Sequence, residues 1–252
     1  MTVVQVDNLE LGSGRPKIAV PLTGSTQNEL LKQADAVTIE NADLVEWRID
    51  NFIQVKDKNV INDTNKKLYD KLDGLPLLTT FRSAYEGGNL QLDSEEEYFL
   101  ICKNVVENHY SHLLDLELFR DKERNQEVIK LARKNNMKII MSNHDFEKTP
   151  TEGEIFRRLQ MMQDFGADIA KIAVMPNSVE DILKLLSVTH QAKQKLRIPV
   201  ITMAMGDFGK ITRVSGDLFG SCLTFGTVGE ASAPGQIESQ QLRSILDTLQ
   251  IK

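Results

Sequence analysis

Residues 138–174, KIIMSNHDFEKTPTEGEIFRRLQMMQDFGADIAKIAV, decide the reading of the fold. Two short runs rich in Ile, Lys138–Ser142 and Ile169–Val174, bracket a longer segment that opens on a capping box, Thr151 with Glu154. Strand, helix and strand in that order make a βαβ unit, whose two strands run parallel. The same alternation extends in both directions. Further strands are predicted at Lys17–Leu22, Asp43–Ile49, Pro76–Phe81, His112–Leu116, Ile198–Met203 and Ser221–Phe225. Capping boxes at Ser94…Glu97 and Ser178…Asp181 predict two more helices. After the first of these, Tyr98, Phe99, Ile101, Cys102, Val105 and Val106 keep the helical apolar spacing.

Eight strands roughly thirty residues apart predict a closed (β/α)₈ TIM barrel, read as one domain over residues 1–252. A doubly wound sheet is the alternative, but Leu22 is followed by Thr-Gly-Ser-Thr rather than a dinucleotide-binding glycine loop. Residues 1–14 read as an added N-terminal β-hairpin, with Gly12-Ser-Gly as its turn.

The chain of 252 residues has 41% apolar and 26% charged residues, the balance of an ordinary soluble protein. Its net charge of −6 argues against nucleic acid, which needs a positive field. No apolar run reaches membrane-spanning length, and the N-terminus does not read as a signal peptide. Cys102 and Cys222, far apart and in apolar segments, suit a reducing cytoplasm. An anionic substrate would need local arginines to offset the overall charge.

The strands end in unusual polar residues: Glu46 and Arg48, Arg82, Glu117, His144 and Lys171. Catalytic groups of such barrels collect at that end. Parity agrees, since Glu46 and Arg48 share a face opposite Trp47, and Ile169, Lys171 and Ala173 share another. Asp115 and Glu117 likewise point together, opposite Leu114, Leu116 and Leu118. Buried charges of this kind are costly unless paired.

Taken alone, Lys171 is a strand-end lysine, a buried ion-pair partner or an imine-forming nucleophile. The last requires a neutral amine, which the apolar Ile169, Ala173 and Met203 and nearby arginines would favour. His144, read just past its strand, has the ring chemistry to move protons both ways near neutral pH. Glu86, in Tyr-Glu-Gly-Gly, is either a solvated turn carboxylate or the group that orients that ring. His109-Tyr-Ser-His112 lacks a third metal ligand and reads as surface; no metal or cofactor is expected.

Phe81-Arg-Ser with Glu86-Gly-Gly, Ser142-Asn-His-Asp-Phe, Lys171-Ile-Ala-Val-Met, Met205-Gly-Asp-Phe-Gly-Lys-Ile-Thr-Arg, Phe219-Gly-Ser and Ala233-Pro-Gly-Gln, in this order, resemble type I 3-dehydroquinate dehydratases. Thr212-Arg213 stands where that family commonly has Ser-Arg. The resemblance implies imine formation on Lys171, proton transfer by His144 and positioning of His144 by Glu86. It maps substrate contacts onto Glu46, Arg48, Arg82, Arg213, Ser232 and Gln236. The expected partner is the small molecule 3-dehydroquinate, and the expected assembly a homodimer. Arg213 would be the bidentate clamp for the substrate carboxylate.

A class I aldolase acting on a phosphosugar is the rival, because Gly206–Gly209 and Gly226–Gly229 follow the last two strands, where barrels often hold phosphate. A non-catalytic barrel is a second rival, marked by loss of the lysine or histidine, and both residues are present. The glycine-rich stretch 226–236 carries Ser232 and Gln236 and is expected to act as a lid.

Overall fold

The computed structural model describes residues 3–229, 233 and 235–251. The chain opens with a hairpin, β1 (Val4–Val6) and β2 (Leu9–Leu11), paired Val4 to Leu11 and Val6 to Leu9. The expected turn is misplaced. The hairpin reverses at Asp7-Asn8, with Asp7 in the left-handed region at φ 49°. A short polar side chain makes that conformation accessible. Gly12-Ser-Gly instead connects the hairpin to the barrel.

Eight parallel strands follow: β3 (Lys17–Leu22), β4 (Leu44–Arg48), β5 (Leu77–Thr80), β6 (Leu113–Glu117), β7 (Lys138–Asp145), β8 (Ile169–Val174), β9 (Val200–Ala204) and β10 (Leu223–Thr227). They lie side by side in chain order, and β10 pairs back onto β3. The circle closes where Val200 bridges Ser221 and Cys222 N donates to Val200 O at 2.9 Å. A two-residue strand, β11 (Ile237–Glu238), adds to β10 through Gly226 and Thr227.

Helices α1 (Gln27–Asp35), α2 (Lys58–Lys71), α3 (Glu95–Asn108), α4 (Lys122–Lys134), α5 (Glu152–Phe165) and α6 (Val179–Lys195) connect successive strands. Two short helices, α7 (Lys210–Val214) and α8 (Gly216–Phe219), fill the last crossover, and α9 (Ser239–Thr248) ends the fold. No helix among the described residues is long and apolar enough to cross a membrane. Ser94 and Thr151 cap as expected, each accepting from the backbone N–H three residues on. At Ser178 the hydroxyl makes no cap, whereas Asp181 Oδ2 accepts from Asn177 N at 2.9 Å.

Alternate residues of each barrel strand separate two apolar layers. Trp47, Leu114, Leu116, Ala170, Ile172 and Val174 face outward to the helices. Inside, Ala19, Leu44, Leu78, Leu113, Ile140, Ile169, Ile201 and Leu223 fill the N-terminal end, with Val4, Val6 and Leu11 packed onto them. The hairpin is therefore the floor of the barrel. His112 helps to fasten it: its Nδ1 accepts from Leu77 N at 2.9 Å, and its Nε2 lies 2.8 Å from Asp7 Oδ2. The surface reading of this histidine is thus corrected, since both ring nitrogens are engaged and Tyr69 stacks on the ring.

Candidate active site

The opposite end of the barrel holds a pocket of about 190 Å³. Lys171 comes up from β8 into it, 4% exposed. His144 comes from the neighbouring strand, where β7 runs on to Asp145 and pairs His144 with Ala173. The histidine therefore lies within a strand, not beyond it, and its backbone is fixed by the ladder.

The Lys171 amine meets carboxylates, not the expected arginines. Nζ donates to Asp115 Oδ2 at 3.2 Å and lies 3.8 Å from Glu46 Oε1. The Phe225 ring centroid is 4.7 Å away. Asp115 is fully buried, which opposes its charge, yet Arg82 and Lys171 hold its carboxyl below the ordinary value.

Glu86 is buried, which decides between the two readings of its loop. Two glycines make that burial possible. Gly87 sits at φ 81°, and any Cβ there would strike the Phe146 ring. A Cβ on Gly88 would meet Arg82 O at 1.8 Å. Only glycine permits so tight a return. Glu86 Oε2 accepts from His144 N at 3.0 Å and faces His144 Nδ1 at 2.9 Å, while Oε1 accepts from Asn143 Nδ2 at 3.1 Å. Burial pushes the Glu86 carboxyl upward, and Arg82 opposes it. Burial also holds His144 well below the usual imidazole value, helped by the positive charges of Arg82, Lys171 and Arg48. The ring is then neutral near pH 7. With Nδ1–H donated to Glu86, Nε2 carries the lone pair that can take a proton.

Arg82 ties this pair to the barrel interior. Its Nη1 donates to Glu86, Glu117 and Ser142, and its Nη2 to Asp115 at 2.7 Å. It reaches the pocket wall, but most of its donors are given to protein. Glu117 continues the network, accepting from Ser83 N at 2.9 Å and from Arg120.

Glu46, Arg48, Arg213 and Gln236 also line the pocket. Glu46 Oε1 accepts from Thr80 Oγ1 at 2.8 Å. Arg48 is paired bidentately with Asp50, at 2.9 and 3.0 Å. Arg213, on α7, is 2% exposed, and burial lowers its pKa to about 10, still charged at neutral pH. Its neighbour Thr212 donates to Gly209 O at 2.7 Å and accepts from Ala204 N at 3.0 Å. This is work for a hydroxyl, so Thr serves where the family commonly has Ser. Ser232 lies outside the described residues.

Sequence reasoning missed Asp50 and Asn143, which hold Arg48 and Glu86, and the Phe146 and Met205 side chains in the pocket wall. Asp50 follows two residues after Arg48, a spacing that offers a bidentate partner only once the chain turns. Among the described residues no group of three His, Cys, Asp or Glu side chains is placed to hold a metal ion.

Three comparisons bear on this site. The family model described as type I 3-dehydroquinase matches residues 18–252. The 3-dehydroquinate dehydratase of Lactiplantibacillus plantarum is 47% identical over 248 residues, covering 98% of each chain. That of Bacillus subtilis is 43% identical over 250 residues, covering 99% of this chain and 98% of its own. The crystal structure of a type I 3-dehydroquinate dehydratase from Clostridium difficile, with covalently modified comenic acid, superposes with a TM-score of 0.95. It is 42% identical and covers 98% of each chain.

Proposed function

Because the chain belongs to the type I 3-dehydroquinase family, its reaction is the dehydration of 3-dehydroquinate to 3-dehydroshikimate and water, and we propose that Lys171 and His144 carry it out through an imine. It is a carbon–oxygen lyase. The aldolase reading is not favoured, since relatives alike over the whole length bear the dehydratase name.

One observation carries the mechanism: a lysine amine and an imidazole rise from adjacent strands into the same pocket. Lys171 Nζ adds to the ring ketone, and loss of water leaves a protonated imine. That cation draws electrons from the neighbouring C–H bond, so His144 Nε2 can remove the proton without a metal or organic cofactor. The resulting enamine expels the hydroxyl β to the imine carbon, and the imidazolium returns its proton to the departing oxygen. Water then releases the enone product and restores the amine. Asp115 and Glu46, within 4 Å of Nζ, are placed to exchange protons with it as the imine forms and breaks.

Arg213 is the carboxylate clamp, and its buried guanidinium answers the overall charge of −6 locally. Glu46, Arg48 and Gln236 face the substrate hydroxyls. Arg82, expected as a substrate contact, acts mainly by holding Glu86 and Asp115. Ser232 stays a proposed contact from the family motif.

Borohydride added during turnover should inactivate the protein and fix a substrate-derived mass on Lys171. A label on another lysine, or none, would reject Lys171 as the imine-forming residue.

The same reading makes the enzyme a cytoplasmic homodimer. Cys102 and Cys222 are free, buried thiols, which agrees with a reducing compartment. Val179 and Leu183, one turn apart on α6, and Leu218 on the adjoining α8 leave apolar side chains exposed for self-association. Sedimentation should show a dimer that Leu183→Lys weakens.

A further inference from the structure

Outside the central pocket, a second cavity of about 350 Å³ lies between the loops that follow β5 and β6, at the start of α3. Ser83, Tyr85, Gln91, Glu95, Tyr98 and Arg120 form part of its wall. Two hydrogen-bond donors on that wall have no protein acceptor among the described residues. Ser83 Oγ is buried without a partner, on a residue 5% exposed. Arg120 gives Nε and Nη2 to Glu117 Oε2, at 2.9 and 2.7 Å, and leaves Nη1 without an acceptor. The guanidinium is held in place by the Tyr98 ring, 4.6 Å from its centroid, with Tyr85 at 6.0 Å. The two acids on the cavity wall are engaged elsewhere, Asp93 with Lys56 at 2.8 Å and Glu95 with Asp121 N at 2.9 Å.

We propose that this cavity is a second ligand site, which takes a small carboxylate that accepts hydrogen bonds from Arg120 and Ser83. Its occupancy reaches the reaction through a continuous chain of contacts. Arg120 holds Glu117; Glu117 Oε1 lies 3.1 Å from Arg82 Nη1; Arg82 Nη1 lies 3.2 Å from Glu86 Oε2; Glu86 faces His144 Nδ1 at 2.9 Å. A carboxylate on Nη1 adds a second negative charge beside Glu117 on the same guanidinium and weakens its hold on the group that fixes Ser83 N and Arg82. The imidazole then loses orientation. This coupling rests on His144 as the proton carrier, whereas ligand binding does not.

The probe is succinate, titrated calorimetrically into the full-length protein, with inorganic phosphate and chloride at equal ionic strength in parallel. Succinate should bind saturably. Arg120→Gln should weaken it about tenfold or more, as expected for a lost charged hydrogen bond. Ser83→Ala, which removes only an unpartnered hydroxyl, should weaken it less. Arg213→Gln should leave it intact, because that residue belongs to the central pocket. In turnover, succinate should lower kcat with KM unchanged. Absence of saturable binding overturns the site, and so does binding that survives both Arg120→Gln and Ser83→Ala. Loss of binding in Arg213→Gln with competitive inhibition overturns it too, by placing succinate in the central pocket. Equal binding of phosphate overturns the choice of a carboxylate. Binding with no change in kcat overturns the coupling alone.

Discussion

A lysine inside Ile-Ala-Lys-Ile-Ala can be read from sequence because it breaks an apolar strand at an inward position, and the structure places Lys171 there with its amine in the pocket. His144 is legible for a similar reason, although its strand is longer than its composition suggests. The groups that hold these two are less visible. Asn143 looks like an ordinary loop residue until β7 extends through it. His144→Ala should still form the imine but lose about 10²–10⁴-fold in turnover, the usual contribution of a general acid–base group. Borohydride trapping beside steady-state rates separates the two effects. The ring also has a pH signature. Burial and the cations of Arg82, Lys171 and Arg48 disfavour its protonation, so its pKa lies below 6.5, and acid must go past the ordinary imidazole range to charge it. A nuclear magnetic resonance titration of the His144 ring should show its midpoint under 6.5. A midpoint at or above that value would contradict the buried, neutral ring.

Among the elements, strand cores were predicted well and their ends poorly. β8 matches its expected span, whereas β7 and β10 each continue beyond theirs, because pairing with a neighbour extends a strand past its β-branched run. The hairpin turn departs from expectation for a related reason: glycines predict the reversal, while Asp7 adopts the left-handed conformation and the glycines form the exit. That hairpin contributes stability rather than chemistry. Leu11 is fully buried in the barrel floor, so Leu11→Ala should cost about 2–5 kcal/mol in denaturant unfolding. Its catalytic constants should stay unchanged, since the reacting groups lie at the other end. Gly226 and Thr227 pair with Ile237 and Glu238, next to Gln236, while residues 230–232 and 234 of the expected lid lie outside the described residues. Gln236→Ala should therefore raise KM more than Ser221→Ala, because Ser221 turns its hydroxyl to Thr202 and Leu223 instead of the pocket. Measured Michaelis constants for the two variants decide it.

For the molecule as a whole, the barrel was the most legible feature, since eight βα units leave few other ways to bury both faces of a parallel sheet. How the charges inside it pair was not legible. Arg82 looks like a substrate ligand in sequence but becomes a hub only when Asp115, Glu117 and Ser142 converge on it from other strands. With no metal-binding group of side chains among the described residues, turnover should survive exhaustive chelation. Loss of activity that a divalent ion restores would refute the imine mechanism. The hairpin across the floor has a kinetic consequence as well. Val4, Val6 and Leu11 shut the rear of the barrel, so among the described residues the pocket is closed at its floor. The oxygen expelled from the ring has to pass the ring that has just lost it. In reversible turnover it should often re-add before it leaves. Solvent oxygen-18 should then enter the β-hydroxyl of recovered 3-dehydroquinate more slowly than the ring itself is dehydrated and rehydrated, read apart from the ketone oxygen, which imine formation and hydrolysis exchange on their own; complete exchange of that hydroxyl in every cycle would reveal a back door.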